Sequence, residues 1–401
     1  MKTCLFLLFL PLLCLAQEQL GGRVLDAETG ESLPYAMIYA ETGRGTLTNL
    51  DGEFLLSVSP DEELTFSFVG YEKLRMKASQ LTPVVRMKPL SQEMEELIVT
   101  PVDETALLKQ LIKNLKQDFA RHEDDEQAYF MRAMLSGVDD TYLMEGLAKA
   151  ASAVNVRNIA MVSGTKGLNE QGDSSRMDLQ FTNVQLVAGI APVTYNSGYW
   201  TRPIKPLLSL KDTRNYYNTT VVTLKGKGDT RLYKITFRWK EKKRPEWQQK
   251  DLVKRRRVTG TAYVDAASLR LLRFEGKVEN AFQMVQRERR HPGETEGELE
   301  LLRQPSDIRF HLSYDYSQGY AAVSRIAVRG GNEDMGYSIL MFSLHDRTLF
   351  RDVEGYSSYN IVSSLESAGY DPSLWQKYNI VKRTKAEEKA AFGQANMQKK
   401  K

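Results

Sequence analysis

The sequence predicts a mainly β protein with some α: an N-terminal β-sandwich, then a larger antiparallel β-meander with flanking helices. Three observations carry this. Short stretches of alternating apolar residues recur between Gly21 and Val69, each closed by a turn signal. From Thr219 to Ser343, strand-like stretches follow one another with only short turns between them, which favours antiparallel pairing over βαβ units. Between these regions lies one segment with clear helical spacing.

Residues 1–16 read as a secretory signal. Met1 and Lys2 give a positive start, and Leu5 to Leu15 is apolar apart from Pro11 and Cys14. Cys14-Leu15-Ala16 then offers the small residues a signal peptidase reads. The run is too short to span a bilayer as a mature helix. Acylation of Cys14 is the rival, but Leu13 stands where lipoprotein processing wants a small residue. Cys4 and Cys14 are the only cysteines. Cleavage would therefore leave no disulfide and no thiolate zinc ligand, and burial alone must hold the fold. It would also remove Lys2, taking the formal charge from +4 to +3. So small an excess argues for no nucleic-acid role. No later apolar run reaches the length of a membrane helix.

Residues 17–100 form the first module. Gly21 to Leu25, Tyr35 to Ala40, Glu53 to Val58 and Glu63 to Val69 read as strands. Asp26-Ala27-Glu28-Thr29-Gly30 and Gly43-Arg44-Gly45-Thr46 are turns. Asn49-Leu50-Asp51-Gly52 is a tight hairpin signal. Asn49 and Asp51 could suggest calcium, but a calcium loop needs more oxygen ligands at fixed spacing, and the turn is preferred.

Gly22-Arg23-Val24-Leu25-Asp26 with Thr29 to Ala36, then Gly45-Thr46 with Thr48 to Phe54, then Leu64 to Tyr71, resemble the carboxypeptidase-regulatory-like domain of Bacteroidota envelope proteins. Val84 to Met87 and Leu97 to Val99 resemble its closing strands. The resemblance implies a transthyretin-like, seven-stranded sandwich that accompanies other domains. It does not imply peptidase activity: a metallocarboxypeptidase needs His and Glu zinc ligands, and this module contains no His.

Residues 101–126 are a helix and an acidic linker. Asp103 can cap the helix, and Leu108, Leu111, Ile112, Leu115 and Phe119 follow at helical spacing. Glu123-Asp124-Asp125-Glu126 reads as a solvated turn.

Residues 127–380 form the β-rich domain, and 381–401 a charged tail. Tyr129 to Leu135 reads as a strand, whereas Leu143 to Val156 is Ala-rich and reads as a helix weakened by Gly146. Gln180 to Trp200 reads as loop and short helix. Thr219 to Leu224, Arg231 to Trp239, Val258 to Val264, Leu269 to Val278, Ile308 to Tyr314, Ala321 to Val328 and Tyr337 to Ser343 are the meander strands. Gly260 to Asp265 with Leu269 to Glu275 resemble paired strands of Bacteroidota carboxypeptidase-like-domain proteins. Leu374 to Asn379, with Thr384 and Glu387-Glu388, resemble their C-terminal ending. In architecture alone, the meander is similar to the half-barrels of periplasmic lipoprotein carriers.

No catalytic, cofactor or metal residue is assigned. The histidines are His122, His291, His311 and His345; they form no helical pair, though His311 and His345 are read as lying in predicted strands and could meet in space. Neither a Gly-x-Ser-x-Gly elbow nor a phosphate-binding glycine loop occurs. The one candidate site is a basic patch. From Arg231 to Arg257 there are twelve Lys or Arg against three acids, a net of +9, with Trp239 and Trp247 among them. Its candidate ligands for an anion are Arg238, Lys240, Lys242, Lys243, Arg244, Lys254, Arg255, Arg256 and Arg257. A long solvated hairpin tip explains the same charges more simply.

The expectation is an exported, non-enzymatic envelope protein, periplasmic or outer-membrane-associated, or else secreted or at the cell surface. Its sandwich docks, and its β-domain binds a protein partner or hydrophobic ligand. Expected partners are an envelope protein, lipid or anionic glycan, and not nucleic acid. The rivals are an envelope hydrolase of glycan or peptide using carboxylates in the C-terminal domain, and an accessory to outer-membrane nutrient uptake.

Overall fold

A computed structural model describes residues 18–42, 45–92, 103–137, 141–154, 156, 158–167, 206–207, 209–226, 230–240, 257–289, 298–331, 335–344, 361–375 and 381–398. The signal reading at 1–16 and the segment 180–200 lie outside these residues. The chain forms two compact units. One runs to Pro89 and takes back Asn379–Thr384; the other comprises Leu90–Tyr378 and Lys385–Lys401.

The first unit contains β1 (Glu18–Asp26), β2 (Met37–Ala40), β3 (Gly45–Leu47), β4 (Glu53–Val58), β5 (Glu63–Ser67), β6 (Leu74–Lys77) and β7 (Val84–Met87). They form a three-stranded sheet β4-β1-β7 and a four-stranded sheet β3-β2-β5-β6, the seven strands the resemblance implied. Among the described strands of this unit, only β1 and β7 pair in parallel. In β4 the alternation is complete: Phe54, Leu56 and Val58 are buried, and the residues between are half-buried. Phe54 meets Phe66 edge-on at 5.7 Å, so the core joins both sheets.

The residues that carry the resemblance hold this unit together. Asp26 accepts from the Glu28 and Thr29 amides and, at 2.7 Å, from the Tyr71 hydroxyl. Burial opposes its charge, but these hydrogen bonds outweigh that and hold the carboxyl below its ordinary range. Buried Thr48 donates to the Leu33 carbonyl at 2.6 Å and accepts from the Ala36 amide at 2.8 Å. Asn49 Oδ1 accepts from the Asp51 and Glu53 amides. That is a side-chain-stabilised turn, as preferred over calcium. Among the described residues no group of acids, His and Cys could hold a metal.

The second unit contains β8 (Ser91–Gln92), α1 (Glu104–His122), β9 (Gln127–Gly137), β10 (Thr141–Ala150), β11 (Ile159–Gly167), α2 (Leu210–Tyr216) and β12 (Tyr217–Lys225). There follow β13 (Arg231–Trp239), β14 (Arg257–Asp265), β15 (Leu271–Arg289), β16 (Glu298–Asp315), β17 (Ala322–Gly331), β18 (Met335–Ser343), α3 (Ile361–Ala368), α4 (Pro372–Trp375) and α5 (Lys385–Gln398). The strands make one antiparallel sheet, ordered β11-β10-β9-β18-β17-β16-β15-β14-β13-β12-β8. β12 to β18 form the predicted meander. The β9–β11 hairpins extend it through a pairing of β9 with β18.

Asp103 caps α1 through the Thr105 and Ala106 amides. Leu107, Leu108, Leu111 and Leu115 pack into the same core as Tyr129, Met131, Ile235, Phe237, Phe274, Phe310, Ile326 and Met341 of the sheet. Ile361, Val362 and Leu365 of α3 join it.

Two expectations are corrected. Leu143 to Val156, expected as a helix, holds strand β10. Its alanines pack on the sheet because β9 and β11 pair with it on either side, and nine of its ten residues are buried. Gly146 is not a weak helical position: a Cβ there would meet Met161 Cε at 2.1 Å, and one on its register partner Gly164 would meet Leu365 Cδ1 at 2.0 Å. The two bare backbones make room for α3. Strands β15 and β16 also run far beyond the predicted Leu269–Val278 and Ile308–Tyr314. Gln, Arg and Glu interrupt the apolar alternation there, and backbone pairing between the two strands extends them instead.

Gly52 (φ 76°) and Gly30 (φ 74°) both need the left-handed conformation, but only Gly52 is crowded: a Cβ would lie 2.6 Å from the Val24 carbonyl oxygen. Gly30→Ala should cost the conformational penalty of about 1 kcal/mol, and Gly52→Ala roughly 3 kcal/mol with the clash added. Thermal melting of both variants checks this; equal losses would contradict the close approach.

Candidate functional site

The basic patch was expected to gather nine side chains. Six of them, Lys242, Lys243, Arg244, Lys254, Arg255 and Arg256, lie outside the described residues. The other three are described with their neighbours. Arg238 is exposed and sits across from Asn218 on β12. Arg257 is paired with Glu279 on the neighbouring strand. Lys240 donates to the Arg214 carbonyl at 2.6 Å.

Lys240 does line a cavity of about 330 Å³ among the first turn of α1, helix α2 and strand β12, together with Glu104, Thr105, Arg214, Asn218 and Thr219. Its polar walls pair with each other. The Arg214 guanidinium donates to the Thr105 hydroxyl, and the Thr219 hydroxyl donates to Glu104 at 3.1 Å. Glu104 offsets one of the two cations.

A more elaborate constellation lies on the sheet face opposite the apolar core, and His311 is the one member of it that sequence reasoning singled out. Paired strand residues point to the same side. Glu275 on β15 is opposite His311 on β16, while Arg273 on β15 and Arg325 on β17 both flank Ser313 on β16. Arg325 Nη2 donates to Ser313 Oγ at 2.6 Å. Ser313 Oγ lies 3.2 Å from His311 Nε2, and His311 Nδ1 lies 3.4 Å from Glu275 Oε2. An ionised Glu275 can only accept, so the neutral His311 carries its proton on Nδ1 and its Nε2 accepts from the Ser313 hydroxyl, which in turn accepts from Arg325. Arg273 contacts Glu275 at 3.2 Å and stacks over the Tyr263 ring at 4.0 Å.

Farther along the same face, Arg132 on β9 bonds Glu145 on β10 at 2.6 Å and reaches Glu387 on α5 at 3.4 Å. All three side chains are buried. Lys149 pairs with Glu126 at 2.7 Å, so part of the expected solvated acidic turn serves as a counter-ion. His122 stacks on Tyr320 and bonds Asp125 at 2.8 Å. His291 and His345 lie outside the described residues, so the expected meeting of His311 with His345 does too.

Burial pushes His311 down from 6.5 to about 4; its contact with Glu275 opposes this, and Arg325 and Arg273 reinforce it. Burial works against the Glu275 charge, but His311 and Arg273 outweigh it, holding that carboxyl below its ordinary 4.5. His311 is therefore neutral at physiological pH. An unfolded chain takes up its proton near 6.5 while the folded one does not, so stability falls as pH drops from about 6.5 to about 4. Glu275 continues the loss below its ordinary 4.5. Melting temperature against pH should show this decline, and His311→Gln should flatten its upper part.

The sequence has no match among curated proteins. Among solved structures it is similar to an outer membrane lipoprotein-sorting protein domain from Vibrio parahaemolyticus, at 10% identity over 59% of this chain and 94% of that one, with a TM-score of 0.22. A DUF1329 family protein from Desulfovibrio piger matches at 9% identity over 58% and 90%, with a TM-score of 0.19. MucB in complex with MucA(peri) matches at 6% over 58% and 93%, with a TM-score of 0.15. Similarities of this size transfer no property to the present chain. Residues 20–99 match the family described as the CarboxypepD_reg-like domain, which agrees with the sandwich and with the structural duties of its signature residues.

Proposed function

We propose that the protein is an exported cell-envelope component that works by binding rather than by catalysis, and that its ligand is a protein rather than an enclosed lipid. The observation that carries this is the packing of the large sheet. Over the described residues its apolar face is occupied by Leu107, Leu108, Leu111 and Leu115 of α1 and by Ile361, Val362 and Leu365 of α3. A lipid carrier would need that volume for acyl chains. The regulatory-like module supports the envelope placement, and so does the signal read at residues 1–16. Among the described residues no helix is long and apolar enough to cross a membrane. A periplasmic or outer-membrane-associated site is the preferred location, and association with a nutrient transporter is one form such a partnership takes.

Native mass spectrometry of the protein purified from its own envelope tests this. The expected result is a stoichiometric protein partner and no bound lipid. A clean monomer, or a lipid-loaded one, would overturn the proposal.

One observation favours a second reading, a hydrolase. Ser313, His311 and Glu275 share the hydrogen-bond connectivity of a serine nucleophile, its base and the orienting acid. Against it, Ser313 Oγ is held by Arg325 at 2.6 Å and is only 5% exposed, and a base pushed down to about 4 withdraws a proton poorly. A fluorophosphonate probe should leave the native protein unlabelled. Labelling that disappears in Ser313→Ala would establish the hydrolase instead.

A further inference from the structure

We infer that the Asn49–Glu53 hairpin of the sandwich is a clasp for an extended basic segment, and that its occupant in this protein is the chain's own Val381–Thr384. These four residues form neither helix nor strand, yet they belong to the sandwich unit and not to the unit that surrounds them in sequence. Val381 is 1% exposed and Thr384 8%, so both ends of the segment are buried.

The hairpin reads the segment in two ways. Lys382 Nζ sits 2.8 Å from Glu53 Oε2, at the first residue of β4. Asn49 divides its amide: Oδ1 shapes the turn through the Asp51 and Glu53 amides, while Nδ2 donates to the Arg383 carbonyl at 3.4 Å. One contact recognises an ammonium and the other a main-chain carbonyl, a combination suited to an extended peptide with a basic residue. The Lys382 contact also holds the Glu53 carboxyl below its ordinary range, against the effect of burial.

This goes beyond the envelope-binding reading and does not depend on it. The hairpin that the family motif marks is engaged from within the chain. An outside protein offering a basic extended segment would have to displace Val381–Thr384 first.

Limited trypsin digestion of the full-length protein tests the clasp, because Lys382 and Arg383 are themselves cleavage sites. The C-terminal fragment is followed by mass spectrometry, and cleavage there reports local opening. Glu53→Gln leaves the scissile sequence intact and should speed release of the fragment roughly two- to five-fold, the scale of one partly exposed ion pair. Lys382→Glu and the double variant Glu53→Lys/Lys382→Glu share the same sequence around Arg383. The double variant should be cleaved there more slowly than Lys382→Glu alone. Melting curves confirm that each variant is folded at the digestion temperature. Equal rates for the wild type and Glu53→Gln, or a double variant no slower than Lys382→Glu, would overturn the inference.

Discussion

The large sheet depends on having an apolar partner for one face, and helices α1 and α3 both contribute to it. A row running from Met131 through Met341, Ile326, Leu312 and Phe274 to Ile235 lies in that shared core. Four leucines of α1 lie against that row's core, each worth roughly 1.5–3 kcal/mol when fully buried. Asp103 fixes where the helix begins. At the other end of α1, Asp118 accepts from the Ala321 amide at 3.1 Å and His122 stacks on Tyr320, which ties the helix to the loop before β17.

Once that face is spent on packing, the opposite face carries the electrostatics. Arg132, Glu145 and Glu387 are all buried, as are Arg273, His311 and Arg325. Buried charges cost several kcal/mol each unless compensated, and each of these arginines has at least one polar, charged or aromatic neighbour. Arg132 has two carboxylates, Arg273 has Glu275 and the Tyr263 ring, and Arg325 has the Ser313 hydroxyl. His311 stays neutral chiefly because burial disfavours its charge, and Arg325 and Arg273 reinforce this. The directed bonds from Arg325 to Glu275 organise this face whether or not it meets a ligand.

In the sandwich, the residues that mark the family are structural. Asp26 and Tyr71 come from opposite ends of the signature and meet at 2.7 Å; Thr48 joins the turn at Leu33 to the strand after it. Asn49 shapes its own turn and reaches the C-terminal segment with the same amide.

Local pattern made much of this legible. Alternation set β4, spacing set α1 with its cap, and short turns set the meander, because each depends on neighbours within a few residues. What sequence could not reach depends on partners far along the chain. The Ala-rich stretch at 143–156 has helical composition, yet β10 forms there because β9 and β11 flank it and glycines on adjacent strands admit Leu365. Arg132 meets Glu387 across 255 positions, and Lys382 meets Glu53 across 329; no periodicity reports such a pairing. Nor could sequence place His311 between Glu275 and Ser313, since strand register decides which side chains share a row. The sequence alone determined the sandwich, the helix and the antiparallel class, all of which follow from short-range periodicity and turn chemistry. Only the tertiary structure decided which charges are buried together, what fills the sheet's apolar face and what the hairpin at Asn49 holds.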